Sequence, residues 1–310
     1  MMDLIESPQN ERFMHVVRVA TQPRYRREHR ETWVEGLRLV EAALAAVAVP
    51  VSAARLLVLA ASIAKAPTPR QAALIDRAHQ QMISVLVLSD VLFRQVTQVE
   101  QAQGIGLIWS TKTDEKEGTD LPLNLPLKLP LDLPSEGLAD GVLLDGVQDP
   151  GNVGSLLRTA AAAGVRWAMS TKGTAELSSP KALRAAMGGH FTIALREGLS
   201  PEMVLHLMEA SGVLPVAAVL ADEASDQLMQ STRSIFESAP GHVLNERRPL
   251  VWVFGQEGAG VSQAILAWPT LHRVTIPQAN AVESLNVAAA AAICLFERRR
   301  RWLIAQGAGY

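Results

Sequence analysis

The sequence has very little cysteine and no histidine pattern typical of metal binding. Cys294 is the single cysteine among 310 residues, so an internal disulfide is excluded. It lies within an apolar run, which favours packing as a small hydrophobic side chain. The seven histidines show no paired spacing, which disfavours a zinc or di-metal site. We therefore expect no metal in this protein.

Strong net charge and long apolar segments are also missing. The formal net charge is -2 and charged residues make up 19%, which excludes a basic nucleic-acid coat but allows local basic patches. The longest apolar candidate, Ala42–Ala61, is interrupted by Pro50 and Arg55 and is too short to cross a bilayer. No signal-peptide pattern opens the sequence. We expect a soluble, cytoplasmic protein without a membrane segment.

Three common motifs of nucleotide-binding proteins and hydrolases are absent. Gly255, Gly258 and Gly260 have the spacing GxxGxG, which differs from the GxGxxG of dinucleotide-binding folds. The sequence has no GxxxxGK[ST] phosphate loop, and neither Ser262 nor Ser284 lies in a GxSxG turn. These absences disfavour a nucleotide-dependent oxidoreductase and a serine hydrolase.

Apolar residues make up 48% of the chain, enough for a sizeable core in two domains. The first domain is predicted over residues 1–110 as a small α/β module. Its first part, Ser7–Glu41, has the pattern of amphipathic helix. The predicted strands are Leu56–Leu59, Val85–Leu88 and Gly106–Trp109, and the predicted helices are Pro69–Gln80 and Asp90–Val96.

The composition changes between residues 111 and 139. Leu121–Pro134 alternates leucine and proline with polar interruptions, and prolines at this density exclude a helix and a central strand. We interpret the segment as an extended, polyproline-like linker between two domains. Docking of its leucines on a surface is the alternative, and the sequence leaves it open.

Residues 140–310 again alternate between strands and helices, which predicts a parallel sheet with helices on both faces. Ser225–Leu228 is predicted to start a turn or short helix, and Ala239–Pro249 is polar and rich in turn residues. The predicted strands are Trp167–Ser170, Phe191–Leu195, Val216–Leu220, Leu250–Phe254 and Val274–Pro277, and the predicted helices are Pro180–Met187, Pro201–Ser211 and Ser284–Arg301.

The stretch Gly141–Gly164 combines a strand, a glycine-containing loop and a helix. Val142–Leu144 is typical of a buried parallel strand, Asp145–Gly154 contains turn residues, and a helical pattern starts at Ser155. This places Asn152 in the loop and Arg158 one turn into the helix. An Asn and an Arg side chain that face the same binding site suit a phosphate or a sugar hydroxyl. An ordinary turn with a surface arginine is the alternative.

Two further loops follow strands, Gly255–Gly260 and Gln278–Ser284, and all three are expected at one edge of the sheet, where ligands bind. The glycines of the second loop allow backbone to approach a ligand closely. Glu257 is its one charged residue. Ser284 is predicted to cap the last helix.

Two arginine clusters are candidates for nucleic-acid contact. Arg24, Arg26, Arg27 and Arg30 surround Tyr25, a combination that suits an RNA backbone and an unstacked base. A solvated helix face explains them equally well. The run Arg298–Arg301 complements the negative pole of the last helix, and contact with nucleic acid is its second interpretation.

The three loops together resemble the three motifs of the SpoU/TrmH-type RNA ribose methyltransferases of the SPOUT superfamily. DPGNVGSLLRTAAAAG at Asp149–Gly164 is similar to the first motif, VWVFGQEGAGVS at Val251–Ser262 to the second, and IPQANAVESLNVAAAAAICLFE at Ile276–Glu297 to the third. SPKALRAAMGGHF at Ser179–Phe191 resembles the segment between the first two. SPQNERF at Ser7–Phe13 and VEGLRLVEAAL at Val34–Leu44 resemble the family's substrate-binding domain.

The resemblance implies a trefoil-knotted, parallel-sheet SPOUT methyltransferase domain over residues 140–310, a smaller N-terminal α/β RNA-binding domain, and a homodimer formed through the last helix. It also implies S-adenosylmethionine as cofactor. Two residues depart from the family: Gln278 stands in place of the usual Met and Asn280 in place of Gly. The implied catalytic residues are Asn152, Arg158, Glu257, Ser284 and Asn286, and the implied cofactor residues are Phe254, Gly255, Gly260, Ile276, Ser284 and Leu285. The RNA-binding residues predicted beside them are Arg24, Arg26, Arg27, Arg30 and Arg184.

The function that the resemblance implies is methylation of a ribose 2′-hydroxyl in RNA, with ribosomal RNA favoured over transfer RNA because of the N-terminal domain. A tRNA methyltransferase and a catalytically inactive RNA-binding assembly factor are the alternatives.

Overall fold

The computed structural model describes residues 4–46, 54–111, 140–220, 232–279 and 284–307. They form two compact units, and the first contains Ser178–Thr192 in addition to the described part of Met1–Gly118. Dividing the chain at residues 111–139 would place Ser178–Thr192 with the second unit, although this segment packs in the first. The predicted linker Leu121–Pro134, the segment Ser225–Leu228 and Asn280 lie outside the described residues.

The strands and helices follow one another as the alternating pattern predicted. The strands are β1 (Leu4–Ile5), β2 (Glu31–Glu35), β3 (Ala54–Ala60), β4 (Ser84–Leu88), β5 (Ile105–Ser110), β6 (Gly141–Asp145), β7 (Trp167–Thr171), β8 (Ala194–Leu199), β9 (Leu214–Ala218), β10 (Thr232–Ser234), β11 (Leu250–Gly255) and β12 (His272–Thr275). The helices are α1 (Glu11–Thr21), α2 (Pro23–His29), α3 (Leu37–Ala45), α4 (Ala61–Lys65), α5 (Pro69–Gln80), α6 (Asp90–Val96), α7 (Pro150–Ala163), α8 (Pro180–Ala186), α9 (Pro201–Ser211), α10 (Gln263–Leu266) and α11 (Val287–Ala305).

The first unit contains a mixed sheet in the order β1-β4-β3-β5-β2, with β5 antiparallel to both neighbours. The strands predicted at residues 56–59, 85–88 and 106–109 are confirmed as β3, β4 and β5. The prediction that Ser7–Glu41 is helical was wrong in part, because β2 lies inside it. Thr32, Trp33 and Val34 are β-branched or aromatic and become buried on pairing with β5, which outweighs the local helical pattern.

Residues 178–192 belong to the core of the first unit. Leu183 and Phe191 pack in its apolar cluster, and the rings of Phe191 and Trp109 meet edge to face with centroids 5.1 Å apart. Thr32 donates from Oγ1 to the Ser178 carbonyl at 2.6 Å. The strand predicted at Phe191–Leu195 was placed too early, because residues 189–192 form a turn of 3₁₀ helix and β8 begins at Ala194.

The second unit contains a seven-stranded sheet in the order β10-β12-β9-β11-β6-β7-β8, in which every described pairing is parallel. All residues of β6, β7 and β11 are buried, so both faces of the central strands are covered. Val253 shares an apolar cluster with Leu207 and Met208 of α9. Helices α7 and α11 pack against each other, and α11 also contacts β11. The predicted parallel sheet is confirmed.

Helix α11 is anchored by a buried arginine. Arg298 is 2% exposed and donates to the Asp140 carboxylate at 3.1 Å and to the carbonyls of Leu244 and Glu246, each at 2.7 Å. Arg301 donates to Glu297 at 2.7 Å and to the Ile235 carbonyl at 2.6 Å. The interpretation of this arginine run as a nucleic-acid contact is therefore wrong for Arg298, because its guanidinium is buried and hydrogen-bonded inside the unit.

Cys294 is buried in α11, and this burial raises the pKa of its thiol far above the ordinary value. The thiol stays protonated and packs as an apolar group, as predicted. Among the described residues, no helix is long and apolar enough to cross a membrane, and no three His, Cys, Asp or Glu residues are grouped as metal ligands.

Candidate active site

The carboxyl ends of β6 and β11 meet at one edge of the parallel sheet, with Asp145 of β6 paired to Gly255 of β11. The buried Asp145 carboxylate accepts from the Thr171 hydroxyl and from the Ser262 backbone N–H, both at 2.7 Å. It therefore holds together the segments that follow β6, β7 and β11. No motif in the sequence marks Asp145 for this role.

Helix α7 begins five residues earlier than predicted, at Pro150. Asp149 caps it by accepting from the Asn152 N–H at 3.0 Å, and Pro150 occupies the first helical position. Asn152 was expected in a loop but lies in the first turn of the helix. A helical backbone holds the position of its side chain more rigidly than a loop does.

The loop after β11 is closed on itself. Gln256 and Gly260 exchange two backbone hydrogen bonds of 2.9 Å. A Cβ atom at Gly255 would lie 2.2 Å from the Gly260 backbone, so glycine is required there by the fold of the loop. A Cβ at Gly258 would meet nothing within 4 Å. Of these two, Gly258 is the position that leaves space beside the loop.

Asn286, and not Ser284, caps α11. Its Oδ1 accepts from the N–H groups of Ala288 at 2.9 Å and Ala289 at 3.3 Å. The prediction for Ser284 was wrong because the helix starts at Val287 instead of Ser284. Ser284 consequently keeps its hydroxyl free of the helix end, and it lines a pocket.

Three predicted catalytic side chains form a directed chain of hydrogen bonds. Because capping occupies Oδ1 of Asn286, its Nδ2 is the donor, and it donates to Oδ1 of Asn152 at 2.9 Å. Nδ2 of Asn152 then donates to Oε1 of Glu257 at 2.6 Å. The chain ends on a carboxylate that is exposed to solvent. It joins the starts of α7 and α11 to the loop after β11.

A pocket opens beside this hydrogen-bond chain, and all six predicted cofactor residues line it. The lining also includes Glu257 and Gln278. The Oε1 atom of Gln278 is buried without a hydrogen-bond partner among the described residues. The end of β9 and the start of α11 were missed, since neither carries a polar motif. The predicted lining residues are Phe254, Gly255, Gly260, Ile276, Ser284 and Leu285, and those not predicted are Ala218, Val219, Leu220, Gln256, Val287 and Ala290.

Within one chain, Arg158 makes no hydrogen bond with Asn152, Glu257 or Asn286. It follows Asn152 by six helical residues, which corresponds to about 9 Å along the axis and to a different face of α7. Its side chain is exposed and makes no hydrogen bond or ion pair with the part of the chain that the structure describes. The structure therefore brings together Asn152, Glu257 and Asn286, and leaves Arg158 apart.

The predicted RNA-binding arginines of the first unit differ in their surroundings. Arg26 is 6% exposed and donates to the Val19 and Ala20 carbonyls, so it supports the fold. Arg24 pairs with Glu28 at 2.7 Å on the surface. Arg27 is exposed, Arg30 ends α2 in the left-handed conformation, and Arg184 is half-buried with one terminal nitrogen lacking a hydrogen bond in the described chain.

The order of these motifs agrees with a known family, whose sequence model, described as the SpoU rRNA Methylase family, matches residues 141–296. This match covers half of the chain. The chain belongs to the SpoU rRNA Methylase family. The resemblance stated from the three motifs is thereby confirmed, and so is the α/β fold class with its parallel sheet.

Two curated relatives are similar to this part of the chain. An uncharacterized tRNA/rRNA methyltransferase of Synechocystis is 37% identical over 163 residues, which is 52% of this chain and 54% of the relative. The 23S rRNA (guanosine(2553)-2′-O)-methyltransferase RlmP of Bacillus subtilis is 35% identical over 158 residues, which is 51% of this chain and 57% of RlmP. The chain thus spans about half the length of the curated relatives it matches.

A solved structure is similar to nearly the whole chain. The AdoMet-bound rRNA methyltransferase of Sinorhizobium meliloti has a TM-score of 0.73 and 26% sequence identity. The similarity covers 96% of this chain and 98% of that one.

Proposed function

We propose that this chain is an S-adenosylmethionine-dependent enzyme that methylates a ribose 2′-hydroxyl in RNA, most favourably ribosomal RNA. The observation that carries the proposal is the chain of hydrogen bonds from Asn286 through Asn152 to Glu257 at the mouth of a largely apolar pocket. The relatives support it, since RlmP is named as a ribose methyltransferase of 23S rRNA and the Sinorhizobium protein as an AdoMet-bound rRNA methyltransferase.

The pocket fits the proposed cofactor by the chemistry of its lining. Apolar side chains from β9, β11 and α11 suit a flat nucleoside ring, and a few convergent polar groups are available to orient it. The polar side chains of the lining are those of Gln256, Glu257, Gln278 and Ser284. When bound, S-adenosylmethionine supplies a methyl group on a sulfonium cation. Phe254, Gly255, Gly260, Ile276, Ser284 and Leu285 are the residues proposed to hold it.

The proposed task of the polar residues is to orient the ribose. Glu257 has a second carboxylate oxygen available to accept from a ribose hydroxyl, while Asn152 fixes the orientation of the carboxylate through the first. Holding a hydroxyl in line with the methyl group supplies much of the rate without a metal. Arg158 is proposed to position a phosphate and stabilise developing negative charge, because a guanidinium is protonated at neutral pH and makes a poor base. The proton acceptor stays unassigned.

We further propose that the enzyme is a homodimer formed through α11. Ala289, Phe296 and Ile304 of this helix are exposed, although the opposite side of the helix is buried against its own unit. Their spacing of seven and eight residues puts them on one stripe, and a two-fold contact needs one self-complementary patch. A dimer would also allow Arg158 of one protomer to approach the site of its partner, since Arg158 stands apart in its own chain.

The trefoil knot implied by the family, the RNA-binding role of the first unit and a cytoplasmic location are parts of the same proposal. Within the first unit, Arg27, Arg30 and Arg184 are the predicted RNA contacts whose side chains are not already committed to the fold. Arg24 contributes less because Glu28 neutralises it, and Arg26 is withdrawn as an RNA contact because it is buried.

Incubation with a methyl donor carrying a labelled methyl group tests the proposal. The acceptors should be purified ribosomal RNA, tRNA, and the same RNAs synthesised with 2′-deoxyribose at candidate positions. We expect label in ribosomal RNA and none at a position that lacks the 2′-hydroxyl. Label in tRNA alone would support the tRNA alternative, and RNA binding without transfer to any RNA would support an inactive assembly factor.

A further inference from the structure

Three ring side chains of the first unit meet where α1 packs beside α2. The rings of Tyr25 and His29, one turn apart on α2, are stacked with their centroids 3.8 Å apart and their planes inclined by 21°. The His15 ring of α1 is steeply inclined to both, with its centroid 5.7 Å from that of Tyr25 and 5.9 Å from that of His29. Because these two distances are nearly equal, His15 lies beside the stack and does not cover the outer face of His29.

Polar contacts hold the stacked rings in place. Nδ1 of His29 donates to the Tyr25 carbonyl at 3.0 Å, which sets the orientation of the His29 ring. Nε2 of His15 lies 2.8 Å from the Glu31 carboxylate, which favours a proton on this nitrogen. In the neutral ring Nδ1 of His15 then accepts from the Tyr25 hydroxyl at 3.0 Å. Rings that are held before binding lose little freedom when a ligand stacks on them.

His29 is the member of the stack that is exposed to solvent, whereas Tyr25 and His15 are half-buried. Tyr25 covers one face of the His29 ring, so the exposed area of this ring lies on its other face and its edge. The sequence pattern pointed to Tyr25 as the ring that suits an unstacked base. His29 covers one face of Tyr25 and offers its own outer face instead.

Positive charge lies beside the stacked rings. Arg18 of α1 is exposed, and its guanidinium carbon lies 5.7 Å from the centroid of the Tyr25 ring. Arg30, which directly follows His29, is already one of the proposed RNA contacts. The Glu31 side chain is only 18% exposed and faces His15, so it repels an anion at the surface weakly. An exposed ring beside cations matches the two parts of a nucleotide, a flat base and a negatively charged phosphate.

We propose that His29 is a stacking platform for one unpaired base of the RNA substrate and that Arg18 contacts a phosphate of the same strand. This inference rests on the proposed function, in which the substrate is RNA. It adds the kind of RNA segment that the first unit recognises, a single strand whose bases are available to stack. A base inside a duplex already stacks on its neighbours and does not reach the His29 ring.

Fluorescence titration of a short RNA with the full chain tests the inference. The probe is a single strand of uridines with one central 2-aminopurine, whose fluorescence is quenched when its ring stacks. Wild type should bind this probe and quench it. H29A should bind about 10-fold more weakly and without quenching, because one stacked base is lost. H29F keeps a flat ring and should retain both the affinity and the quenching.

Three further measurements separate stacking from charge and from folding. R18A should bind more weakly, and the slope of its log affinity against log salt should be shallower by about 0.7, since one phosphate contact is gone. H79A makes the same change as H29A at an exposed histidine of α5 and should behave as wild type does. The probe annealed to its complementary strand should bind wild type and H29A equally.

The outcomes distinguish this inference from the proposed function. Equal quenching by wild type and H29A would overturn the inference and leave the proposed function standing. The same holds for a wild type that transfers methyl groups to RNA but does not quench the probe. A wild type that neither binds the probe nor transfers methyl groups to RNA would overturn both.

Discussion

Asn286 donates from Nδ2 to Oδ1 of Asn152 at 2.9 Å, across 134 residues of sequence. The same Asn286 uses its Oδ1 to cap α11, so its amide cannot turn round without losing the cap. The cap of one helix therefore decides which way the amide of Asn152 points on another. As a result, Asn152 presents a donor to Glu257.

Asn286→Asp tests this relationship, because the substitution keeps a capping oxygen and removes the Nδ2 donor. Asn152 should then turn its NH₂ group towards the new carboxylate and its oxygen towards Glu257, where it repels the carboxylate. We expect methyl transfer to fall about 100-fold, the cost typical of losing one oriented donor in a catalytic site. The melting temperature should stay close to that of wild type because the cap survives.

The measurement is methyl transfer at saturating cofactor, with thermal unfolding of the same samples. Asn245→Ala, which changes an exposed asparagine elsewhere in the second unit, serves as the control and should keep full activity. Full activity in Asn286→Asp would contradict the directed chain.

The second prediction concerns the exposed stripe of α11. Ala289→Glu and Phe296→Glu should each convert a dimer to a monomer, since an unpaired charge buried in an interface costs several kcal/mol. Methyl transfer should fall with dimer content if Arg158 acts across the interface. Met82→Glu is the matched control, because Met82 is 92% exposed in the first unit. Light scattering of all four proteins at working concentration would reject the proposal if wild type were monomeric and fully active.

The third prediction concerns the leucine- and proline-rich segment 121–134. Limited proteolysis should cut between Thr111 and Gly137, because prolines at this spacing disfavour a helix and a central strand. The two fragments should nevertheless elute together, since Leu183 and Phe191 lie in the second fragment but pack in the core of the first unit. Size-exclusion chromatography of the cut protein checks this. Separation of the fragments without denaturant would contradict the packing of Ser178–Thr192, and complete resistance to cleavage would contradict the linker.

The fourth prediction concerns pH and His242, which is fully buried. Its Nδ1 accepts from the Leu244 N–H at 3.2 Å and its Nε2 lies 3.2 Å from the Ser234 carbonyl, so the ring is neutral. Loss of hydration on burial, assisted by the charge of Arg301, lowers the pKa of His242. The unfolded chain therefore binds a proton that the folded chain does not.

Stability should accordingly begin to fall as pH drops below about 6.5, the unfolded pKa, and this loss should end below the lowered folded pKa. In His242→Gln, which retains an acceptor and a donor, the fall attributable to this group should disappear. Denaturant unfolding between pH 8 and pH 5 gives the comparison. Parallel stability curves for the two proteins would show that His242 contributes nothing to the pH dependence.

The sequence predicted best those elements that carry their own start signals. Helices α5 and α9 have the predicted bounds, because Thr68 and Ser200 cap them and a proline follows each cap. The same signal, Asp149 followed by Pro150, stands at the start of α7. It was outweighed by Gly151 and Gly154, which indicated a loop, and Asn152 was consequently placed outside the helix.

Other features depend on contacts between residues that are far apart in the sequence. Arg298 looks like a surface arginine in a basic run, and its partner Asp140 lies 158 residues away. The pocket wall formed by the end of β9 consists of ordinary aliphatic residues, so it had no motif to detect. Strand β2 was missed for a similar reason. Its neighbours in the sequence have a helical pattern, whereas the strand with which it pairs, β5, is distant in the sequence.

The bond between Asn152 and Asn286 also has a consequence for the timing of assembly. A ribosome adds about 5–20 residues per second, so the 134 residues between them take roughly 7 to 27 seconds to synthesise. During that interval β6 and α7 exist without the residue that orients Asn152. The site therefore becomes complete only when Asn286, at the start of α11, has been made, and Arg298 of the same helix then pairs with Asp140, the residue before the first strand of this sheet.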